Sequence, residues 1–157
     1  MTPELFQRIA LVPALSLLPP AMDTPAARAF ILAICLQESG LTARRQRDGP
    51  ARGLAQFEKA GVNGVLTHAA SSTHAKAICA ALSIQATTTS VHAALQYADV
   101  LTAVFARLLL WTLPQALPAR EDSSGAWSQY LSAWRPGKPH RETWATHYAH
   151  GWAVVEP

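Results

Sequence analysis

The segment "DTPAARAFILAICLQESG", residues 23–40, constrains the fold more than any other stretch of this chain. Asp23 or Thr24 stands where a helix N-cap belongs, and Pro25 falls in the first turn, where its missing N–H leaves no bond unmade. Ala27, Phe30, Ile31, Ile34 and Cys35 recur at helical spacing, so this helix buries a face. Gly40 is the natural stop, free to adopt the left-handed conformation after a last helical turn. A helix bounded in this way puts Glu38 in its final turn, directly after an apolar run. The ordinary reading of such a glutamate is a helix-end carboxylate in water; the other is a reactive group.

The rest of the chain predicts further helix. Ala and Leu dominate while Val, Ile and Tyr are scarce, which favours helices over strands. At 157 residues, half of them apolar, the chain has the size of one ordinary domain and shows no internal repeat. Residues 1–22 read as a peripheral helical segment, kinked at Pro13 and ending at Pro19-Pro20. Residues 41–57, with Asp48-Gly49-Pro50 and Gly53, read as turns and loop. One or two helices are expected between 58 and 81, interrupted near "GVNG" and "SSTH". The run 91–111 is the longest amphipathic stretch. Its stripe of Leu95, Ala98, Leu101, Val104, Phe105, Leu108 and Leu109 predicts a central core helix. Two aromatic-rich helices, 124–134 and 140–153, follow the breaks at Pro114 and Pro118. The expected fold is an all-α domain over 1–157 with six to eight helices.

Several function classes find no support. No stretch reaches the ~18 apolar residues of a membrane span. The N-terminal apolar stretch is short, is broken by Pro13 and follows Glu4, so it does not read as a secretory signal. Cys35 and Cys79 form no zinc pattern, and Cys35 reads as a buried free thiol. His140, His147 and His150, with Glu142 nearby, lack the spacing of a zinc site and read as solvated, so neither metal nor other cofactor is expected. Ser39 has no nucleophile context, and no phosphate-binding loop is present. Arg44, Arg45, Arg47 and Arg52 crowd the loop after Glu38. Without interleaved aromatics they do not make a nucleic-acid patch, and they read as solvated loop or as contacts for an anionic polymer. Trp127, Tyr130 and Trp134 share a helix face, as do Trp144, Tyr148 and Trp152. Such stripes read as core, with Trp134 the candidate for a groove edge.

For Glu38, local physics supplies a direction. The negative end of the helix dipole and desolvation by Leu36 and Leu41 both push its pKa up. A carboxyl held protonated near neutral pH is what a general acid requires.

The surroundings carry more information. "ESGL" at 38–41 and "GLAQF" at 53–57, with fifteen residues from Glu38 to Gly53, resemble the soluble lytic transglycosylase and goose-type lysozyme superfamily. In that superfamily a helix ending in Glu-Ser is followed by a loop and a Gly-Leu-Met-Gln segment; here Ala55 stands in the Met position. The family's Ala-Tyr-Asn motif before a Gly-Pro-Gly turn is altered in "SQYLSAWRPGKP", which aligns Tyr130 with its active-site tyrosine but lacks the Asn. Tyr97 and Trp134 are the alternatives for that role.

The resemblance implies a lysozyme-like fold acting on peptidoglycan glycan strands. Glu38 would be the catalytic acid/base, cleaving the β-1,4 bond between N-acetylmuramic acid and N-acetylglucosamine with closure of a 1,6-anhydro ring. It also implies that Ser39 orients the Glu38 carboxyl and that Gly53, Leu54, Gln56 and Tyr130 contact the sugar. An inverting lysozyme would instead need a second carboxylate about 6.5–9.5 Å away, for which Asp48 and Glu58 are the candidates. A non-catalytic murein-binding module of a virion is the third expectation. The compressed loop and the terminal "WRPGKP" resemble small phage-encoded wall-degrading proteins. That likeness implies a protein made in the bacterial cytoplasm and acting at the wall, alone or as part of a virion; the oligomeric state is not fixed by the sequence, with a monomer the expectation.

Overall fold

A computed structural model of the chain describes residues 1–156. The order of elements follows from where proline, glycine and apolar residues fall. The N-terminal rod comprises α1 (Pro3–Phe6), a π-helical turn (Gln7–Leu11) and α2 (Val12–Ser16). The wide turn answers to Pro13, whose ring would meet the carbonyl four residues earlier in a regular α-helix. Loosening the register, so that the Val12 N–H bonds to the Gln7 carbonyl, relieves the conflict. Pro19 ends the rod, and a 3-10 turn (Pro20–Met22) leads into α3 (Pro25–Ser39). Thr24 is the N-cap, its hydroxyl accepting from the Ala27 N–H, while Asp23 pairs with Arg28. Gly40 is left-handed at the C-terminus, as expected.

Beyond the loop come α4 (Lys59–Thr67), α5 (Ser72–Ala81), α6 (Thr88–Ala94), α7 (Asp99–Trp111), α8 (Ser123–Trp134) and α9 (Arg141–Val155). Among the described residues, extended pairing is limited to the isolated antiparallel bridges Arg45–Arg52 and Arg52–Phe57. The all-α expectation therefore holds. No helix is long and apolar enough to cross a membrane among the described residues. Cys35 and Cys79 are both free and buried.

Three expectations need correction. Residues 1–22 are not peripheral: Phe6, Ala10, Leu11, Ala14 and Leu15 are buried in the common core, where the rod packs on α7. The "GVNG" stretch does not interrupt a helix but lies within α4. There Val62, Val65 and Leu66 are buried, and that burial outweighs the roughly 1 kcal/mol that each helical glycine costs. The run 91–111 is two helices, broken at residues 95–98. No proline or glycine marks this break, because its cause lies elsewhere in the chain. Gly53 (φ 73°) presses its backbone into the gap so closely that a Cβ would stand 2.6 Å from Thr102 Oγ1 and 3.0 Å from the Leu95 carbonyl oxygen. The Thr102 hydroxyl donates to that same carbonyl, satisfying it where the helix stops.

Core helices α3 and α7 are enclosed on nearly every side rather than on one face: residues 29–35 and 101–110 are all buried. Helix α9 crosses α3 at Gly151, where an added Cβ would lie 2.3 Å from the Ala29 carbonyl oxygen. Phe30 of α3 meets Trp144 and Tyr148 of α9 edge-on, with centroids 5.9 and 6.0 Å apart. Gly151→Ala is expected to lower unfolding stability by about 1–3 kcal/mol, the range for overpacking a tight contact. Urea denaturation of the two proteins measures it, and an unchanged midpoint would show that the crossing tolerates a methyl group.

Candidate functional site

An open cleft of about 1060 Å³ runs between the end of α3, the loop up to Glu58, α4, and the α8–α9 connection. Glu38 lies in its wall. The last turn of α3 carries the residue there because the turns before it are sealed in the core and Gly40 ends the helix at the cleft. Burial pushes the Glu38 carboxyl up to about 7, and a hydrogen bond from Tyr130 opposes part of that rise. The Tyr130 hydroxyl donates to Glu38 Oε1 at 2.5 Å. Its own pKa is pushed far upward, by burial first and then by the neighbouring Glu38 charge, so the phenol stays a donor.

Tyr130 is held by stacking as well as by its hydroxyl. Its ring lies 4.9 Å from that of Trp144, nearly parallel at 17°, and Trp144 stacks in turn on Tyr148. Trp144 Nε1 donates to the Ser123 carbonyl, and the Tyr148 hydroxyl reaches the carbonyls of Pro118 and Ala119. The aromatic stripes are therefore core, as their spacing predicts. Trp134 sits at the cleft, donating from Nε1 to the Ala55 carbonyl with its ring 5.6 Å from Phe57. Tyr97 is 82% exposed on the α6–α7 turn and does not line the cleft, which removes it as the active-site tyrosine.

The "GLAQF" segment divides by role. Gln56 lines the cleft, with φ at 48° and its Nε2 donating to the carbonyls of Gly53 and Ala43. Gly53 and Leu54 are buried behind it and do not reach the cleft, so the expectation that they contact a ligand is corrected. Ser39 is likewise misplaced for orienting the Glu38 carboxyl. Its hydroxyl bonds to the Leu54 carbonyl at 2.6 Å and the Cys35 carbonyl at 3.0 Å, pinning the segment to α3 instead. Side-chain size explains the division: the small Gly and apolar Leu fill the gap against α3 and α7, leaving the longer Gln to project outward.

Of the two further carboxylates, Glu58 lines the same cleft as Glu38 and is exposed, whereas Asp48 lies outside the lining on an exposed turn with φ at 55°. The loop arginines also separate. Arg44 forms a bidentate pair with Asp99 (2.9 and 2.7 Å), and Arg52 donates to the carbonyls of Gly49 and Ala51. Arg45 and Arg47 stay exposed. Arg44 thus fastens the loop to the first turn of α7, where a carboxylate is favoured by the helix dipole.

Two positioning groups escaped the sequence reading. Buried His92 approaches the Phe57 carbonyl through Nε2 at 3.0 Å, and burial lowers its pKa, favouring the neutral ring. Gln37 lines the cleft beside Glu38, donating to the His140 carbonyl while its Oε1 meets Thr143 and His147. A lone His or Gln on a helix has no local signature, since its partners lie far away in sequence. The remaining histidines gather no metal-binding group among the described residues.

Chemically, the cleft offers one carboxyl poised to exchange a proton near neutral pH, a fixed phenol donor, an amide and an indole wall. Comparison of the chain with protein-family models, curated proteins and solved structures finds no match.

The raised Glu38 pKa has a signed consequence for stability. Between pH 4.5 and about 7 the folded protein retains a proton that the unfolded chain releases, so stability falls as pH rises through that window. Glu38→Gln lacks this loss. Its stability advantage over wild type is expected to be absent below pH 4 and to reach up to about 3 kcal/mol at pH 8. Denaturation curves across pH test it, and a gap that does not change with pH would contradict the buried-carboxyl assignment. Tyr130→Phe should move the carboxyl further up, read by carbon NMR of the Glu38 side chain.

Proposed function

We propose that the chain is a peptidoglycan-cleaving lytic transglycosylase with a lysozyme-like fold and Glu38 as its general acid/base. The observation that carries this reading is the Glu38 carboxyl, desolvated until it titrates near neutrality and hydrogen-bonded to Tyr130 in the wall of a long open cleft. A group titrating near working pH is suited both to give and to take a proton. The motif likeness adds the substrate class, and a cleft of about 1060 Å³ has room for several sugar units. Trp134 offers an aromatic edge of the kind on which sugar rings stack.

In this mechanism protonated Glu38 gives its proton to the oxygen bridging N-acetylmuramic acid and N-acetylglucosamine. The bond to the muramoyl anomeric carbon breaks, and N-acetylglucosamine leaves with a free hydroxyl. The muramoyl acetamide stabilises the developing positive charge, so one protein carboxylate suffices, as in substrate-assisted glycosidases. Glu38, now ionised and held by the Tyr130 hydroxyl, removes the proton from the muramoyl 6-hydroxyl. That oxygen closes the 1,6-anhydro ring and Glu38 ends protonated, ready for another cycle. Gln56 lines the same cleft with its Nε2 committed to the Gly53 and Ala43 carbonyls, which leaves Oε1 to accept from a glycan hydroxyl or acetamido N–H.

A second reading is favoured by one observation: Glu58 shares the cleft with Glu38. An inverting hydrolase would use Glu58 to activate water, and the product would then carry a reducing end. On either reading the site of action is the bacterial wall, and the likeness to phage wall-degrading proteins suggests a phage origin with action at infection or lysis.

Digestion of purified peptidoglycan followed by mass spectrometry of the released muropeptides tests the proposal. Wild type is expected to release anhydro-muropeptides, and Glu38→Gln to slow release by about 10²–10⁴-fold. Reducing-end products lost on Glu58→Gln would favour the hydrolase. No release by wild type, together with retained sedimentation on murein, would replace the enzyme with a binding module.

A further inference from the structure

A second cavity, of about 480 Å³ and more open to solvent than the Glu38 cleft, lies where the end of α7 meets the start of α3, with Trp111 exposed along it. It shares only Leu113 with the Glu38 cleft. Arg107 of α7 forms part of its wall, yet only 2% of that residue is exposed. Its Nε donates to the Met22 carbonyl at 2.7 Å, and its guanidinium lies 4.7 Å from the centre of the Trp111 ring. Nη1 is buried with no hydrogen-bond partner. Among the described residues no carboxylate lies within ion-pairing distance of Arg107, and nearby Asp23 is engaged by Arg28 through both oxygens. Burial alone pulls the guanidinium down to about 10, with no neighbouring anion to oppose it.

An unpaired buried cation is costly, and the cost persists only where something compensates it. One carbonyl and one indole face leave most of the five guanidinium donors unused. The surroundings suit an anion. The 15-residue helix α3 begins here, with Thr24 and Ala26 in the cavity wall, so the positive end of its dipole borders the same space, although the Thr24 hydroxyl already takes the Ala27 N–H. At the opposing end of α7 the negative carbonyls are muffled: the Leu109 oxygen takes the Thr112 hydroxyl and N–H, and the Leu110 oxygen takes the Leu113 N–H. The remaining wall is largely apolar, with Trp111, Leu113 and Leu117. A cavity of this volume is in the range for small ligands.

We propose that this cavity is a binding site for a small monocarboxylate bearing an apolar group. The carboxylate sits on the Arg107 guanidinium, and the apolar part lies against Trp111, Leu113 and Leu117. With Nε on the Met22 carbonyl and Nη1 buried, a carboxylate answers the guanidinium as a charge-assisted acceptor from the cavity side, and the apolar wall selects against small hydrated ions. The site is independent of the chemistry at Glu38.

Titration of the isotope-labelled full chain with sodium hexanoate, and separately with 1-hexanol, tests it by NMR. Hexanoate is expected to shift the Trp111 indole and the Arg107 Nε–H saturably in the millimolar range, with hexanol at least about tenfold weaker. Arg107→Met should abolish the hexanoate response. Ala26→Glu keeps the arginine, adds a carboxylate where the α3 dipole favours one, and should weaken hexanoate about tenfold by occupying the site from within the chain. Should Arg107→Met fail to fold, Ala26→Glu decides. Equal affinity for hexanol and hexanoate, shifts at the Trp134 indole in place of Trp111, or unchanged affinity in Ala26→Glu would each overturn the proposal.

Discussion

Gly151 has no side chain, and the Ala29 carbonyl fills the volume where its Cβ would stand. This close crossing of α3 and α9 governs much of what surrounds it. With the axes so near, Phe30 meets Trp144 and Tyr148, and Trp144 is placed to stack on Tyr130 of α8. Tyr130 then meets Glu38 in the cleft wall. A backbone contact between two helices is thus relayed through three aromatic rings to one hydrogen bond. Because rings are stiff and interiors are packed to crystal-like density, the relay leaves the phenol little freedom.

The loop between α3 and α4 is held from the other side by polar contacts. Ser39 secures the Leu54 carbonyl, Arg44 clamps Asp99, His92 approaches the Phe57 carbonyl, and Trp134 bonds the Ala55 carbonyl. Gly53 lets the loop sink into the break between α6 and α7. These contacts come from α3, α6, α7 and α8, so the loop is a packed wall of the cleft whose Gln56 is presented in a fixed place. Several residues singled out by motif likeness therefore act behind the site, holding in position those that face it.

Both interior cations and carboxyls report how the core treats charge. Glu38 meets desolvation by holding its proton near neutrality, against a Tyr130 donor that favours its ionised form. Arg107 cannot readily lose its proton, so its burial leaves a standing demand for negative charge. One is an equilibrium group at the edge of a cleft; the other is a constant charge at the edge of a cavity.

The helical class was legible in residue usage, and α3 could be read almost residue by residue: cap, proline, apolar run and terminal glycine are all local signals. Glu38 in the final turn followed from them. The direction of its pKa also followed from the apolar residues around it, because burial is what raises it. What the chain did not disclose locally was the break at 95–98, the burial of one face of the N-terminal rod, or the inward fate of Ser39, Gly53 and Leu54. Each depends on a partner distant in sequence: Gly53 for the break, α7 for the N-terminal rod, the Leu54 carbonyl for Ser39. Local propensity determined which segments coil and where α3 ends; only tertiary packing decided which groups face water, because burial is a property of neighbours and not of residues.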